Sequence, residues 1–295
     1  MFGSYLIFGL PILYCYRVLY TGPELDSKAV IALHFLPKLP GRFLAKLRHP
    51  LIPFFEYEKT RVAFLATLIK LFFFPLMVTG VISNGSQVIH FLSQLPNGTP
   101  LNIWLIYSFS VSALLLVDTS IFAFGYVTES VYFKNEIKSV EPTLAGWMVA
   151  LLSYNPFNMI FRRLERAAIP SILIEWITFS QFSLVVLLGL SIFCYGIYVW
   201  ASIALGPRAG NLVNRGIVQS GPYAFVRHPA YISKNLAWWF ALIPVVTDLR
   251  QIILLCISGI IYLLRAVTEE RHLNNDAEYR TYRDQVKYRF IPFIS

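Results

Sequence analysis

Long apolar runs alternate with short polar, basic segments along this chain. A membrane-crossing helix needs about 20 apolar residues at about 1.5 Å rise each. Runs of that kind fall at 4–20, 62–83 and 104–126, with a longer one at 172–205. Shorter apolar runs at 29–37 and 145–160 are too brief to cross alone. The pattern predicts an all-α, polytopic transmembrane bundle of roughly six to eight membrane helices. The segment 38–61 holds Lys38, Arg42, Lys46, Arg48, Lys59 and Arg61, whereas 84–103 carries no Lys, Arg, Asp or Glu. The positive-inside rule therefore puts 38–61 in the cytoplasm and 84–103 outside.

Composition sharpens that picture. The chain is 56% hydrophobic and 14% charged, against about 25% charged in soluble domains. A soluble protein of this size could not bury so much apolar surface, and a disordered one would not carry it. The net charge of +9 does not make a nucleic-acid binder, because the bases form no extended polar face. Cys15, Cys194 and Cys256 sit in apolar runs with no metal-ligand spacing, so they read as small buried hydrophobes and no metal site is expected. The N-terminus lacks the basic start and small-residue cleavage site of a removed signal. Lys70, Asp118 and Glu175 interrupt apolar runs; such residues either pair within a bundle or line a functional cavity.

The C-terminal third is different. From 206 to 234 the chain holds Arg208, Arg215, Arg227 and Lys234 with no acid, among many Gly and Pro residues. Such a loop suits an anionic group beside a membrane. Apolar runs at 235–247 and 251–264 follow, separated by Asp248-Leu249-Arg250, which reads as a tight helical hairpin. Pro229 fits the first turn of its first helix, where a missing N–H costs nothing. Arg227 and Glu269 lie nearly equidistant from Leu249. Antiparallel helices from that turn therefore bring 227–231 beside Arg265, Glu269 and Glu270. Tyr279 and Tyr282 share a helix face behind them, as a lid on the site or as an anchor at the interface.

The segment Gly221-Pro222-Tyr223-Ala224-Phe225-Val226-Arg227-His228-Pro229-Ala230-Tyr231, followed by a hairpin, Glu269-Glu270, Tyr279, Tyr282 and Ile291-Pro292, resembles the isoprenylcysteine carboxyl methyltransferase and phospholipid methyltransferase superfamily. The resemblance covers roughly residues 185–293. A second Arg-His-Pro at 48–50 lacks this setting and reads as coincidence. The resemblance divides the chain into 1–170, membrane helices of unassigned role, and 171–295, a methyltransferase-like module with a cytosolic cofactor-binding loop and tail. It implies S-adenosylmethionine as methyl donor and a lipophilic acceptor within the membrane. It assigns Gly216, Ile217, Val218, Tyr223, His228, Pro229, Ala230, Tyr231 and Glu269 to the cofactor, and Arg265 to orientation of the acceptor. Ser233 stands where the family often has Gly.

Methyl transfer from a sulfonium is an in-line displacement that asks the protein to align two reactants and exclude water. A carboxylate acceptor could be fixed by Arg265 with no base. An amine or hydroxyl acceptor would need one, and Glu270 or His228 would be the candidates. Two other readings stay open from the residues: a membrane reductase using NADPH, and a transporter or scaffold without catalysis.

Overall fold

The structure is a computed structural model and describes residues 28–48, 57–95, 102–130, 132–159, 180–246 and 248–292. The apolar run 4–20 with Cys15, the arginines of 161–169, Glu175, and the pair His49-Pro50 lie outside the described residues. The described chain is helical apart from one two-residue strand pair. The helices are α1 (Lys28–Phe35), α2 (Leu39–Arg48), α3 (Glu58–Gln94), α4 (Ile103–Val127), α5 (Leu144–Leu152), α6 (Gln181–Leu205), α7 (Pro229–Leu242), α8 (Leu249–Leu273) and α9 (Ala277–Gln285). Strands β1 (Ser139–Val140) and β2 (Val213–Asn214) pair antiparallel.

Four of the described helices, α3, α4, α6 and α8, are long and apolar enough to cross a membrane. This is an integral membrane protein. Its outward faces carry large apolar side chains. On α6 the bulky Phe182, Phe193, Trp200 and Ile203 are exposed, while Ser191, Ala201 and Ser202 are buried. Lipid can solvate large side chains, and small residues on the inner face let helices approach closely beside the buried Leu188, Tyr195 and Tyr198.

One expectation fails. Residues 84–94 belong to α3 and are not a loop. At about 1.5 Å per residue, this 37-residue helix is roughly 55 Å long, well beyond the hydrocarbon thickness. Its second half has partners on α4: Ser112 donates to Gln87 Oε1 at 3.0 Å, and Phe91 stacks on Phe109 at 4.2 Å. Side-chain pairing thus lets the helix run on through a stretch whose composition reads as a loop.

The chain divides into two compact units, residues 1–75 and 76–295. In the first, Phe35 meets Phe64 edge to face at 5.8 Å, and Ala63, Ala66, Ile69 and Phe73 are buried. The second holds the site. Its centre is α6 against α7, around Cys194, Tyr195, Tyr198, Val199 and Ala237. Ser191 donates across that contact to the Ala237 carbonyl at 2.8 Å.

The hairpin forms as its turn chemistry dictates. Asp248 caps α8 by accepting from Arg250 N at 2.9 Å, and Arg250 Nε returns to the Asp248 carboxylate at 2.8 Å. Pro229 sits in the first turn of α7, where it removes no helical bond. The hairpin is asymmetric: α7 has 14 residues and gives way to a 3₁₀ turn over Ile243–Val245, whereas α8 has 25. Pro244 lies in that turn, and its ring prevents a continuous helix.

Candidate active site

Tyr231, on the first turn of α7, donates its hydroxyl to Glu269 Oε2 on α8 at 2.6 Å. Arg265 lies one turn before Glu269, so both project from one face. The Arg265 guanidinium carbon stands 5.1 Å from the Tyr231 ring centre, 5.2 Å from Tyr262 and 5.5 Å from Tyr154. Arg265 is 6% exposed. The rings supply negative faces to a cation that water cannot reach.

These three side chains line one cleft with Glu141, Asn211 and His272, beside the backbone of Gly210–Val213. Asn211 fixes the loop under Arg265. Its backbone N–H and Nδ2 both donate to the Tyr126 hydroxyl, at 2.8 and 2.9 Å, and its Oδ1 accepts from Arg265 Nη2 at 2.6 Å. Glu141 is 2% exposed and comes from the β1–α5 turn. Its Oε1 accepts from Thr143 N at 3.0 Å, from the Thr143 hydroxyl and from Arg271 Nη2 at 3.3 Å. A Cβ at Gly146 would stand 2.5 Å from Glu141 Cγ and Cδ, so any larger residue there would displace the Glu141 side chain. The sequence reading missed Asn211, Glu141 and His272. The clue for Asn211 was its place in the acid-free loop, and for Glu141 a cap-forming Glu-Pro-Thr just before an apolar run.

Glu270 points away from this cleft. It accepts from Arg227 Nε at 2.9 Å, from Arg289 Nη2 at 2.7 Å, and is 3.0 Å from His228 Nε2. Its bond holds Arg289 above the usual guanidinium range. The cluster ties the loop, the end of α8 and the tail together, aided by Arg227 N and His228 N donating to the carbonyls of Tyr288 and Arg289. The His228 ring stacks on Tyr231 at 5.3 Å and 6°, and so backs the tyrosine that holds Glu269. Ser233 donates to the Pro229 carbonyl at 2.7 Å, a bond internal to α7.

Tyr279 and Tyr282 are buried beneath the loop with Ile217, beside Tyr223. The Tyr282 hydroxyl donates to the Tyr223 carbonyl at 2.8 Å. Burial pushes the hydroxyls of Tyr223, Tyr279 and Tyr282 well above their usual range. Both tail tyrosines are packing residues, neither lid nor surface anchor. Ile217 and Val218 border a second, open hollow with Gly206, Arg208 and Ser220. Gly216, with φ +95°, lies beside Lys138 and Arg208. The structure therefore brings Tyr231, Arg265 and Glu269 to one cleft, sets His228 and Pro229 behind it, packs Ala230 against the α6–α7 core, and leaves Gly216, Ile217, Val218 and Tyr223 outside its lining.

Residues 186–275 match the model of the isoprenylcysteine carboxyl methyltransferase family. The match covers about a third of the chain and, with the long apolar helices, supports a membrane methyltransferase as the class of protein. The recognition made from the Gly-Pro-Tyr and Arg-His-Pro segment is thereby borne out. No curated protein matches the chain.

Proposed function

We propose that this protein methylates a lipophilic acceptor at the cytosolic face of a membrane, with S-adenosylmethionine as donor. The single observation that carries the reading is the convergence of Tyr231, Arg265 and Glu269 on one cleft, within the segment that matches the methyltransferase family. The donor set suits this cofactor, whose amino-acid end is zwitterionic and whose ribose carries two hydroxyls. The cleft offers carboxylates at Glu269 and Glu141, a guanidinium at Arg265 and an amide at Asn211.

When bound, S-adenosylmethionine supplies an electrophilic methyl group on a sulfonium. Glu269, its carboxylate oriented by Tyr231, would hold the donor's ammonium or ribose hydroxyls. Arg265 would orient the acceptor, and its three tyrosine neighbours keep water from the reacting atoms. Glu270 is engaged by Arg227, Arg289 and His228, and His228 Nε2 is engaged by Glu270, which argues against either as the base. We assign both to holding the site. That arrangement favours an acceptor that arrives ionised, such as a carboxylate.

The test is retention of labelled cofactor by the purified protein in detergent. S-Adenosylmethionine is expected to be retained and NADPH not. Retention of NADPH alone would replace this reading with the reductase.

A further inference from the structure

Residues 139–146 precede the segment that matches the family, yet Glu141 and Gly146 line the cleft beside Arg265 and Glu269. Glu141 is held from every side but one. Its N–H donates to the Leu212 carbonyl at 2.9 Å, and its carbonyl accepts from Trp147 Nε1 at 2.9 Å. The first bond ties the turn to the loop before β2, and the second ties it to α5. Leu212 itself has φ +62°. That left-handed conformation is uncommon for a residue with a side chain, and it persists where neighbouring bonds over-determine it. Here the Glu141 N–H and the β1–β2 pairing do so.

The Glu141 carboxylate is fixed through one oxygen. Oε1 accepts from Thr143 N, from the Thr143 hydroxyl and from Arg271 Nη2. Thr143 is anchored in turn, since its hydroxyl accepts from Gly146 N at 3.2 Å and from Arg271 Nη2 at 2.5 Å. Oε2 makes no hydrogen bond among the described residues. It is the free acceptor of a cleft-lining residue that is nearly shut off from bulk water. A buried acceptor without a donor is costly, so a group that donates to it gains more than it would at the surface. Glu269 is different: it is exposed, and its Oε2 already accepts from Tyr231.

We propose that Glu141 Oε2 receives the ammonium of the cofactor's amino-acid end, which leaves Glu269 to the ribose hydroxyls. The assignment rests on the methyltransferase reading for the identity of the cofactor. The division follows from burial. A charge-assisted bond is strongest where water is excluded, so a cationic donor gains most at the shielded carboxylate, whereas neutral hydroxyls suit the exposed one. The β1–α5 turn, outside the matched segment, thereby becomes part of the donor site, and Glu141 distinguishes an adenosyl compound that carries an ammonium from one that does not.

Titration calorimetry on the full chain in nanodiscs tests this with a matched pair of ligands: S-adenosylhomocysteine and its des-amino analogue, in which hydrogen replaces the ammonium. The wild type is expected to prefer the ammonium compound by about tenfold or more, as a hydrogen bond to a charged group implies. Glu141→Gln keeps an oxygen for Thr143 and turns an N–H donor toward the ammonium, so it should bind the two compounds about equally. Gly146→Ala reaches the same result by another route. It keeps the charge but displaces the Glu141 side chain, because its Cβ would stand 2.5 Å from Glu141 Cγ and Cδ. A preference retained in either variant overturns the proposal. So does a variant that keeps its ligand-free melting temperature yet binds neither compound, which would assign Glu141 to the shape of the cleft. Equal binding of the pair by the wild type removes the ammonium assignment alone. A wild type that binds neither these compounds nor S-adenosylmethionine removes the methyltransferase reading and this assignment with it.

Discussion

Tyr231 and Glu269 are joined by a 2.6 Å hydrogen bond across the mouth of a hairpin. The bond aims an exposed carboxylate into the cleft. Tyr231→Phe should keep the ring stacking with His228 yet free Glu269. A lost bond to a charged group is worth about 1.5–3 kcal/mol, so cofactor affinity should fall by about tenfold or more. Glu269→Ala should abolish retention in a protein that still folds. Equilibrium binding of labelled S-adenosylmethionine measures both, and wild-type affinity in Glu269→Ala would refute the assignment.

Arg265 is expected to act on the acceptor. Arg265→Ala should lower turnover far more than cofactor affinity. Comparing kcat, acceptor KM and donor binding separates the two. A variant that binds donor weakly but turns over normally would move Arg265 to the cofactor.

Glu270 is expected to act on stability. Glu270→Gln removes the counter-charge of Arg227 and Arg289. Breaking a buried ion pair costs about 3–5 kcal/mol, and the partial exposure of Arg289 puts the loss at about 3. A drop of several degrees in thermal unfolding in detergent is the expected outcome. An unchanged melting temperature with lost turnover would instead make Glu270 a catalytic base.

Gly125 marks a close approach between α4 and the loop. A Cβ there would stand 2.7 Å from the Ala209 carbonyl oxygen and 3.1 Å from that of Pro207. Backbone atoms cannot swing aside as a side chain can. Gly125→Ala should destabilise by about 1–3 kcal/mol, measured by thermal unfolding. A wild-type melting temperature would mean that the loop gives way freely.

Asp276 predicts a pH dependence. It caps α9 through Glu278 N at 2.9 Å and accepts from Asn214 Nδ2 at 2.8 Å. Partial burial works to raise its pKa, but these bonds and the Lys138 and Arg280 charges outweigh it, so the value is lowered. A lowered folded-state pKa gives stability that is full above the unfolded value, about 3.9, and lost as pH falls through the folded value. The stability gap between wild type and Asp276→Asn should hold from pH 7 down to about 4 and then close. A gap that persists at lower pH would assign the effect to something other than this charge.

Much of this was legible in one dimension, because it rests on local rules. Apolar run length identified the stretches that α3, α4 and α6 occupy, since a bilayer asks only for length and hydropathy. The hairpin was legible too: Asp248 and Arg250 form a local cap, and equal spacing from Leu249 brings Arg227 to Glu270 and Tyr231 to Glu269. What needed the tertiary structure depends on partners distant in sequence. The extension of α3 to Gln94 follows from Gln87 meeting Ser112. The roles of Glu269 and Glu270 part company because adjacent residues on a helix project about 100° apart, one to the cleft and one to Arg227, Arg289 and His228. Glu141 and Asn211 reach the site from separate segments, through a strand pair and the Tyr126 hydroxyl, contacts that no spacing rule encodes. The same holds for Lys234 and Asp118, two charges in separate apolar helices that only packing brings within one polar network, through the Tyr198 hydroxyl.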